Sequence, residues 1–286
     1  MSVITVLSAK GAPGTTTTAL GMALTWPRPV LLLEADTSGS SSILAGYYRG
    51  TRPFDRGLVD LAVAHRRGRL DPALYDTATP IGDTGHVRFI PALSSTSQAR
   101  QLTSLWPALL EALQALHTTG TDVIVDAGRP GDAAFPSSLA TGADLTVLMT
   151  RTDLPALAAA RASVTDLRAA LQAVGAPDNT LQLALVGHGQ PYRGREIPAT
   201  VGAPVLAHLQ WAPHDARVLS HGDRPGRRFQ GGPLLVSLAH LGAQARLAIQ
   251  QLQEPLTPSS TLAPTDSHEA PRDGLIDLVD LEAPRV

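Results

Sequence analysis

The sequence predicts an α/β protein of three layers, a doubly wound, mostly parallel sheet flanked by helices. Three observations predict it. Apolar runs of strand length alternate with longer stretches of helical spacing, as in a parallel sheet covered on both faces. Several runs end in acids or lead into glycine-containing turns, the chemistry that gathers beyond the carboxyl ends of parallel strands. At 286 residues and 43% hydrophobic, the chain can bury such a core.

Residues 3–7, Val-Ile-Thr-Val-Leu, form the first expected strand. Ser8-Ala9-Lys10-Gly11-Ala12-Pro13-Gly14-Thr15-Thr16-Thr17-Thr18 follows, and residues 19–24 continue as a helix. Strand, Gly-rich turn and helix in that order make a loop whose N–H groups converge on an anion, helped by the positive end of the helix. The usual pattern, G-x-x-x-x-G-K-[ST], also sets a lysine on the outer phosphates. Thr15 stands in that lysine's place. Trp26-Pro27-Arg28-Pro29 stops the helix. Residues 30–36 are a second buried strand ending in Glu34-Ala35-Asp36, and the small-residue loop Thr37–Ser42 is of the kind that lines a site.

Residues 43–75 are expected as short helices, and 86–91 as a strand. Leu102, Leu105, Leu109, Leu113 and Leu116 place one amphipathic helix over 98–117 despite Pro107. Further strands are expected at 121–126, 145–150, 181–186 and 205–209, with helices at 154–174 and 234–252. From about Glu254 the composition turns to Pro, Ser and Thr, a flexible linker ending in an acidic, apolar segment at 274–282. The domain expectation is therefore 1–253 as one unit and 254–286 as linker and tail.

Composition narrows the function. A formal net charge of −2 and a pI near 6.5 do not announce a nucleic-acid binder. The absence of cysteine excludes disulfides and Cys-ligated metal. The opening apolar run is too short for a signal sequence or a membrane span, so a cytoplasmic protein with no integral membrane segment is expected. The nine histidines show no convincing metal-ligand spacing, and Ser94-Ser95 and Ser137-Ser138 lack a G-x-S-x-G elbow.

Lys10-Gly11-Ala12-Pro13-Gly14-Thr15-Thr16 resembles the deviant phosphate loop of the MinD/ParA family of P-loop ATPases, K-G-G-x-G-K-[ST]. Lys10 occupies the family's signature lysine, Gly11 and Gly14 match, Ala12 replaces a glycine, and Thr16 matches the hydroxyl that holds Mg²⁺. Thr15 departs from the pattern by replacing the ordinary loop lysine. Asp36 looks like the first-switch acid near Mg²⁺ and the attacking water. Val123-Ile124-Val125-Asp126-Ala127-Gly128 looks like Walker B and the second switch. Trp211-Ala212-Pro213-His214-Asp215 resembles the late P-x-D segment that packs near the adenine.

The resemblance spans most of residues 1–250 and implies a P-loop NTPase fold with ATP and Mg²⁺ as cofactors. It implies Lys10, Asp36 and Asp126 in catalysis, and Thr16, Asp36 and Asp126 at the metal. Lys10, Gly11, Ala12, Pro13, Gly14, Thr15, Thr16, Thr17, Pro213 and Asp215 would contact the nucleotide. The expected function is an ATP-dependent dimerising switch that positions cargo such as DNA, a septum component or a secretion or pilus machine. Hydrolysis is expected to be slow or absent, since losing an electrostatic donor costs on the order of 10²–10³ in rate. The alternative is a localisation scaffold that has lost nucleotide binding. Metabolic enzymes with the same loop fit less well, and an iron–sulfur carrier needs cysteines that the chain lacks.

Two surface features complete the reading. The cluster His65-Arg66-Arg67-Gly68-Arg69 and arginines 193, 195, 224, 227 and 228 are candidates for non-specific DNA contact, set against solvated loop and helix-end charges. Asp273, Asp277, Asp280 and Glu282 would repel anionic lipid, while Leu275, Ile276, Leu278, Val279 and Leu281 offer a partner-docking face or belong to a disordered tail.

Overall fold

Among the described residues the apolar runs assemble into eight strands: β1 (Val3–Ser8), β2 (Val30–Glu34), β3 (Thr79–Ile81), β4 (Val87–Ile90), β5 (Asp122–Asp126), β6 (Leu145–Arg151), β7 (Leu181–Val186) and β8 (Val205–Leu209). A computed structural model of the chain describes residues 2–10, 14–82, 85–131, 134–187, 189, 191–192 and 195–254. The strand order is β3-β4-β2-β5-β1-β6-β7-β8, parallel throughout except where β3 pairs antiparallel with β4. β1 is buried along its whole length and lies between β5 and β6, so the loop that leaves it starts from the middle of the sheet. The crevice beyond its carboxyl end is where doubly wound sheets take their ligands.

Helices cover both faces, as fully apolar strands require. They are α1 (Thr15–Leu24), α2 (Leu58–Arg66), α3 (Leu70–Thr77), α4 (Leu105–Ala115), α5 (Ser137–Thr141), α6 (Leu154–Ala173), α7 (Ile197–Val201), α8 (Pro213–His221) and α9 (Pro233–Gln253). Side chains from α2 to α7 pack with Val3, Leu7, Leu31, Leu33, Val123 and Val125 on one face. Those of α1, α8, α9 and a π-helical turn, Ile43–Tyr47, pack with Ile4, Val6, Leu32 and Ile124 on the other. Alternate residues of β1 thus feed two separate cores, which is the period-2 rule of a strand at work.

Two expectations are corrected. The helix expected over 98–117 is a 3₁₀ stretch, Thr96–Leu102, followed by α4 from Leu105. Pro107 is the third residue of α4, where its missing N–H breaks no helical bond, so the proline places the start of the helix. β3 was not expected at all. Thr79-Pro80-Ile81 is too short to show a period, and its proline is tolerated because the strand lies at the edge of the sheet.

One buried acid ties the far end of the sheet together. Asp122, fully buried, accepts the Ser2 N–H at 2.8 Å and the Trp26 Nε1–H at 2.7 Å, and pairs with Arg28 at 2.8 Å. Trp26 is itself buried, with Gly242 of α9 close against its ring. Trp106 of α4 is buried on the other face, its Nε1–H donating to the Ala134 carbonyl at 3.3 Å. The linker and tail expected at 254–286 lie outside the described residues except for Glu254. Among the described residues, no helix is long and apolar enough to cross a membrane.

Candidate functional site

The turn after β1 enters α1 through Gly14, whose φ of 85° and ψ of 39° lie in the left-handed region that glycine adopts without Cβ strain. The Thr18 N–H bonds the Gly14 carbonyl at 2.8 Å and begins the helical ladder. No side chain caps the helix, so the N–H groups of Thr15, Thr16 and Thr17 have no helical acceptor and add to the positive end of the dipole. Gly14, Thr15, Thr16 and Thr17 line a cavity of about 410 Å³, with Ser8, Asp36, Ser38, Ser42, Ile43, Gly128 and Arg129, and with Leu219 and Ser220 of α8. Gly11, Ala12 and Pro13 lie outside the described residues.

Asp36 and Asp126 come from adjacent strands, as expected. Asp126 is the last residue of β5 and stands in register with Glu34 of β2, two residues before Asp36. The Asp36 Oδ1 accepts the Ser38 N–H at 2.8 Å, a local turn that fixes the carboxylate. The carboxylate lies hard against Gly128, whose φ of +67° and missing Cβ both permit the approach. Asp126 accepts the Gly128 N–H at 3.3 Å through Oδ1, while its buried Oδ2 has no hydrogen-bond partner among the described residues. Burial pushes the Asp126 carboxyl up to about 6, the Asp36 charge adds to this, and the Thr16 hydroxyl and Gly128 N–H oppose it. The Thr16 hydroxyl is near enough to favour the ionised carboxylate without closing a hydrogen bond to Oδ2.

The structure therefore brings together Thr16, Asp36 and Asp126. An orphaned buried carboxylate oxygen beside a second carboxylate and a hydroxyl fits a hard divalent cation that takes oxygen ligands and keeps several waters. Among the described residues there is no cluster of three or more His, Asp or Glu side chains that would form an all-protein metal cage.

Glu34 is a site residue that sequence reasoning passed over. It is buried, and its carboxylate accepts the Ile43 N–H at 3.2 Å and the Ala92 N–H at 3.3 Å. It thereby holds the cavity wall at Ile43 and the loop after β4 to the end of β2. A bridge between Ser40 and Leu93 secures the same segment. Burial raises its carboxyl to about 7, the Asp126 charge adding to this and the Ser41 hydroxyl and the two N–H groups opposing it. The signal in the sequence was an acid closing a run of apolar strand residues, Val-Leu-Leu-Leu-Glu.

Lys10 is exposed and does not line the cavity, whereas Arg129, which the sequence reading did not single out, does. Pro213 opens α8 and Asp215 sits in its first turn with its carboxylate near Gly232; it is the last turn of the helix that reaches the cavity. Trp211, just ahead of α8, is half-exposed beneath the Arg151 guanidinium at 4.6 Å. Arg66, Arg67, Arg69, Arg195, Arg224, Arg227 and Arg228 are exposed, and Arg193 lies outside the described residues.

No family model matches the chain, and no curated protein matches it in sequence. Solved structures do match. The cell division ATPase MinD of Pyrococcus furiosus superposes with a TM-score of 0.65 at 16% identity, over 86% of this chain and 99% of that one. The septum site-determining protein MinD of Pyrococcus horikoshii, complexed with Mg-ADP, gives 0.64 at 16% identity, over 89% and 99%. A ParA family ATPase from Chlorobium tepidum gives 0.62 at 16% identity, over 85% and 98%. The strand order and the flanking helices, together with these matches over nearly the whole length of each neighbour, give the chain the α/β fold of the MinD and ParA ATPases.

Proposed function

We propose that this chain is a MinD/ParA-like nucleotide switch: it binds ATP with Mg²⁺ at the α1 cavity, dimerises in that state, and positions a cargo, with slow or absent hydrolysis. The observation that carries the reading is the cavity itself. Unshared N–H groups at the head of α1 face the same space as Asp36, and Asp126 holds an orphaned carboxylate oxygen beside Thr16 and Asp36. A solved neighbour, the Pyrococcus horikoshii MinD, holds Mg-ADP, which supports the choice of ligand.

In this reading the first turn of α1 cradles the phosphates through backbone N–H groups. Thr16, Asp36 and Asp126 would hold Mg²⁺, directly or through its waters; when bound, the ion supplies neutralisation of the phosphate charge. Asp36, fixed by the Ser38 N–H and by Gly128, is the carboxylate available to orient a water. Ser220 and Leu219 close the opposite wall. Turnover is slow because Thr15 brings no ammonium to the transferring phosphate.

A scaffold that no longer binds nucleotide is the second reading, and Thr15 favours it: the lysine's position is a buried threonine on the cavity wall. Calorimetric titration with Mg·ATP on the wild type and on Thr15→Lys separates the two. Tight wild-type binding with little gain in the variant supports the switch, and gain in the variant alone supports the scaffold. A sizing column run with and without Mg·ATP tests dimerisation; one elution position in both conditions removes that part. Residues 254–286 enter the proposal as a partner-binding tail, and deletion that leaves every protein interaction intact removes it. DNA contact through the exposed arginines would show as salt-sensitive filter binding, and its absence at low salt ends that idea.

A further inference from the structure

We propose that Arg129 is the cation this chain uses against the outer phosphates of its nucleotide, in place of the loop lysine that Thr15 replaces. The inference rests on the nucleotide reading above and adds a residue to it.

The charges around the cavity lead to it. A polyphosphate brought beside Asp36 and Asp126 meets two carboxylates, and the N–H groups of α1 offer only partial positive charge against them. Among the described residues that line the cavity, Arg129 is the only cation. Lys10 is exposed and off the cavity wall, and Thr15 is neutral. Within one chain, full positive charge at the phosphates therefore falls to Arg129.

The local backbone places it there. Asp126 ends β5, the Gly128 N–H returns to the Asp126 carboxylate, and the Ser8 N–H bonds the Gly128 carbonyl at 2.9 Å. Gly128 is thus held between the strand end and the start of the phosphate turn, with φ +67° turning the chain. Pro130 follows Arg129 and biases it away from helical backbone, and Arg129 lies outside any helix or strand. Asp36 packs against Gly128, one residue away, yet Arg129 takes part in neither of the ion pairs formed among the described residues. Arg129 is exposed and makes no ion pair among the described residues, which suits a group that engages an arriving ligand. A guanidinium also matches phosphate geometry through paired N–H donors.

Titration calorimetry with ATP, ADP and AMP, each with Mg²⁺, on wild type, Arg129→Ala, Arg129→Lys and Thr15→Lys/Arg129→Ala tests the assignment. Arg129→Ala is expected to weaken ATP roughly ten- to hundredfold, ADP less and AMP little, with an unchanged melting temperature because the side chain is exposed. Arg129→Lys should keep most of the ATP affinity, and Thr15→Lys should restore it to the alanine variant. Unchanged ATP affinity in Arg129→Ala, or an equal loss for all three nucleotides, overturns the assignment while leaving the nucleotide site in place. Wild-type protein that takes up none of the three overturns the nucleotide reading, and the role of Arg129 with it.

Discussion

The Asp36 carboxylate occupies the space a side chain at Gly128 would need: a Cβ built there lies 2.6 Å from the Asp36 Oδ1 and 2.8 Å from Oδ2. The two strand ends that carry the acids are therefore locked by a contact only glycine allows, at a φ of +67° that other residues rarely adopt.

Gly128→Ala should consequently displace Asp36 or the turn after β5. The expected cost is roughly 1–3 kcal/mol of stability, read as a lower urea midpoint, together with loss of Mg·ATP affinity. Gly39→Ala is the matched control, because a Cβ there meets nothing within 4 Å. It should stay within about 0.5 kcal/mol of wild type. Equal behaviour of the two variants would dismiss the lock.

The buried acids set a pH dependence whose sign is determined. Glu34 moves from 4.5 to about 7 and Asp126 from 3.8 to about 6 on folding, both through burial. The native state thus keeps protons that the unfolded chain releases. Their contribution is complete below the unfolded values and is lost as pH rises through about 6 for Asp126 and about 7 for Glu34. The melting temperature of the metal-free protein should fall between about pH 4 and about pH 7. Asp126→Asn should flatten the lower part of that slope and Glu34→Gln the upper part. Mg²⁺ should raise the melting temperature at the alkaline end in wild type and leave Asp126→Asn unmoved. A wild-type curve flat across this range would refute the assignment.

A third test concerns the wall opposite α1. A Cβ on Gly46, in the π-helical turn, would overlap the Ser220 carbonyl oxygen of α8. Ile43 of that turn and Ser220 both line the cavity, so Gly46→Ala should pry two walls apart. The expected readout is destabilisation of about 1–3 kcal/mol together with weaker nucleotide binding. Destabilisation with the affinity intact would mean that this packing serves the fold alone.

The outline of the fold was legible because its strands are buried on both faces and read as continuous apolar runs, from Val3 to Leu7 or from Leu145 to Thr150. The acids at positions 36 and 126 were legible for the same reason, since polar residues ending such runs stand out. What the sequence concealed was local or spatial. Pro107 looked like an interruption within a helix until the structure placed it in the first turn of α4. Glu34 looked like one acid of a pair, and its role depends on N–H groups 9 and 58 residues further along the chain. Arg129 carries no pattern at all; only the turn at Gly128 delivers it to the cavity. Leu219 and Ser220, in the last turn of α8, border the cavity with no signal in the sequence, while Pro213 and Asp215 stand at the head of the same helix.

The placement of the tryptophans gives the chain a built-in optical probe. Trp26 and Trp106 are 3% and 2% exposed, each with its indole N–H bonded inside a core, while Trp211 is 45% exposed under Arg151. A soluble quencher should reach Trp211 and spare the other two until the protein unfolds. Emission lost to the quencher would then report events at the head of α8, and the remaining emission would report melting, from one unlabelled sample.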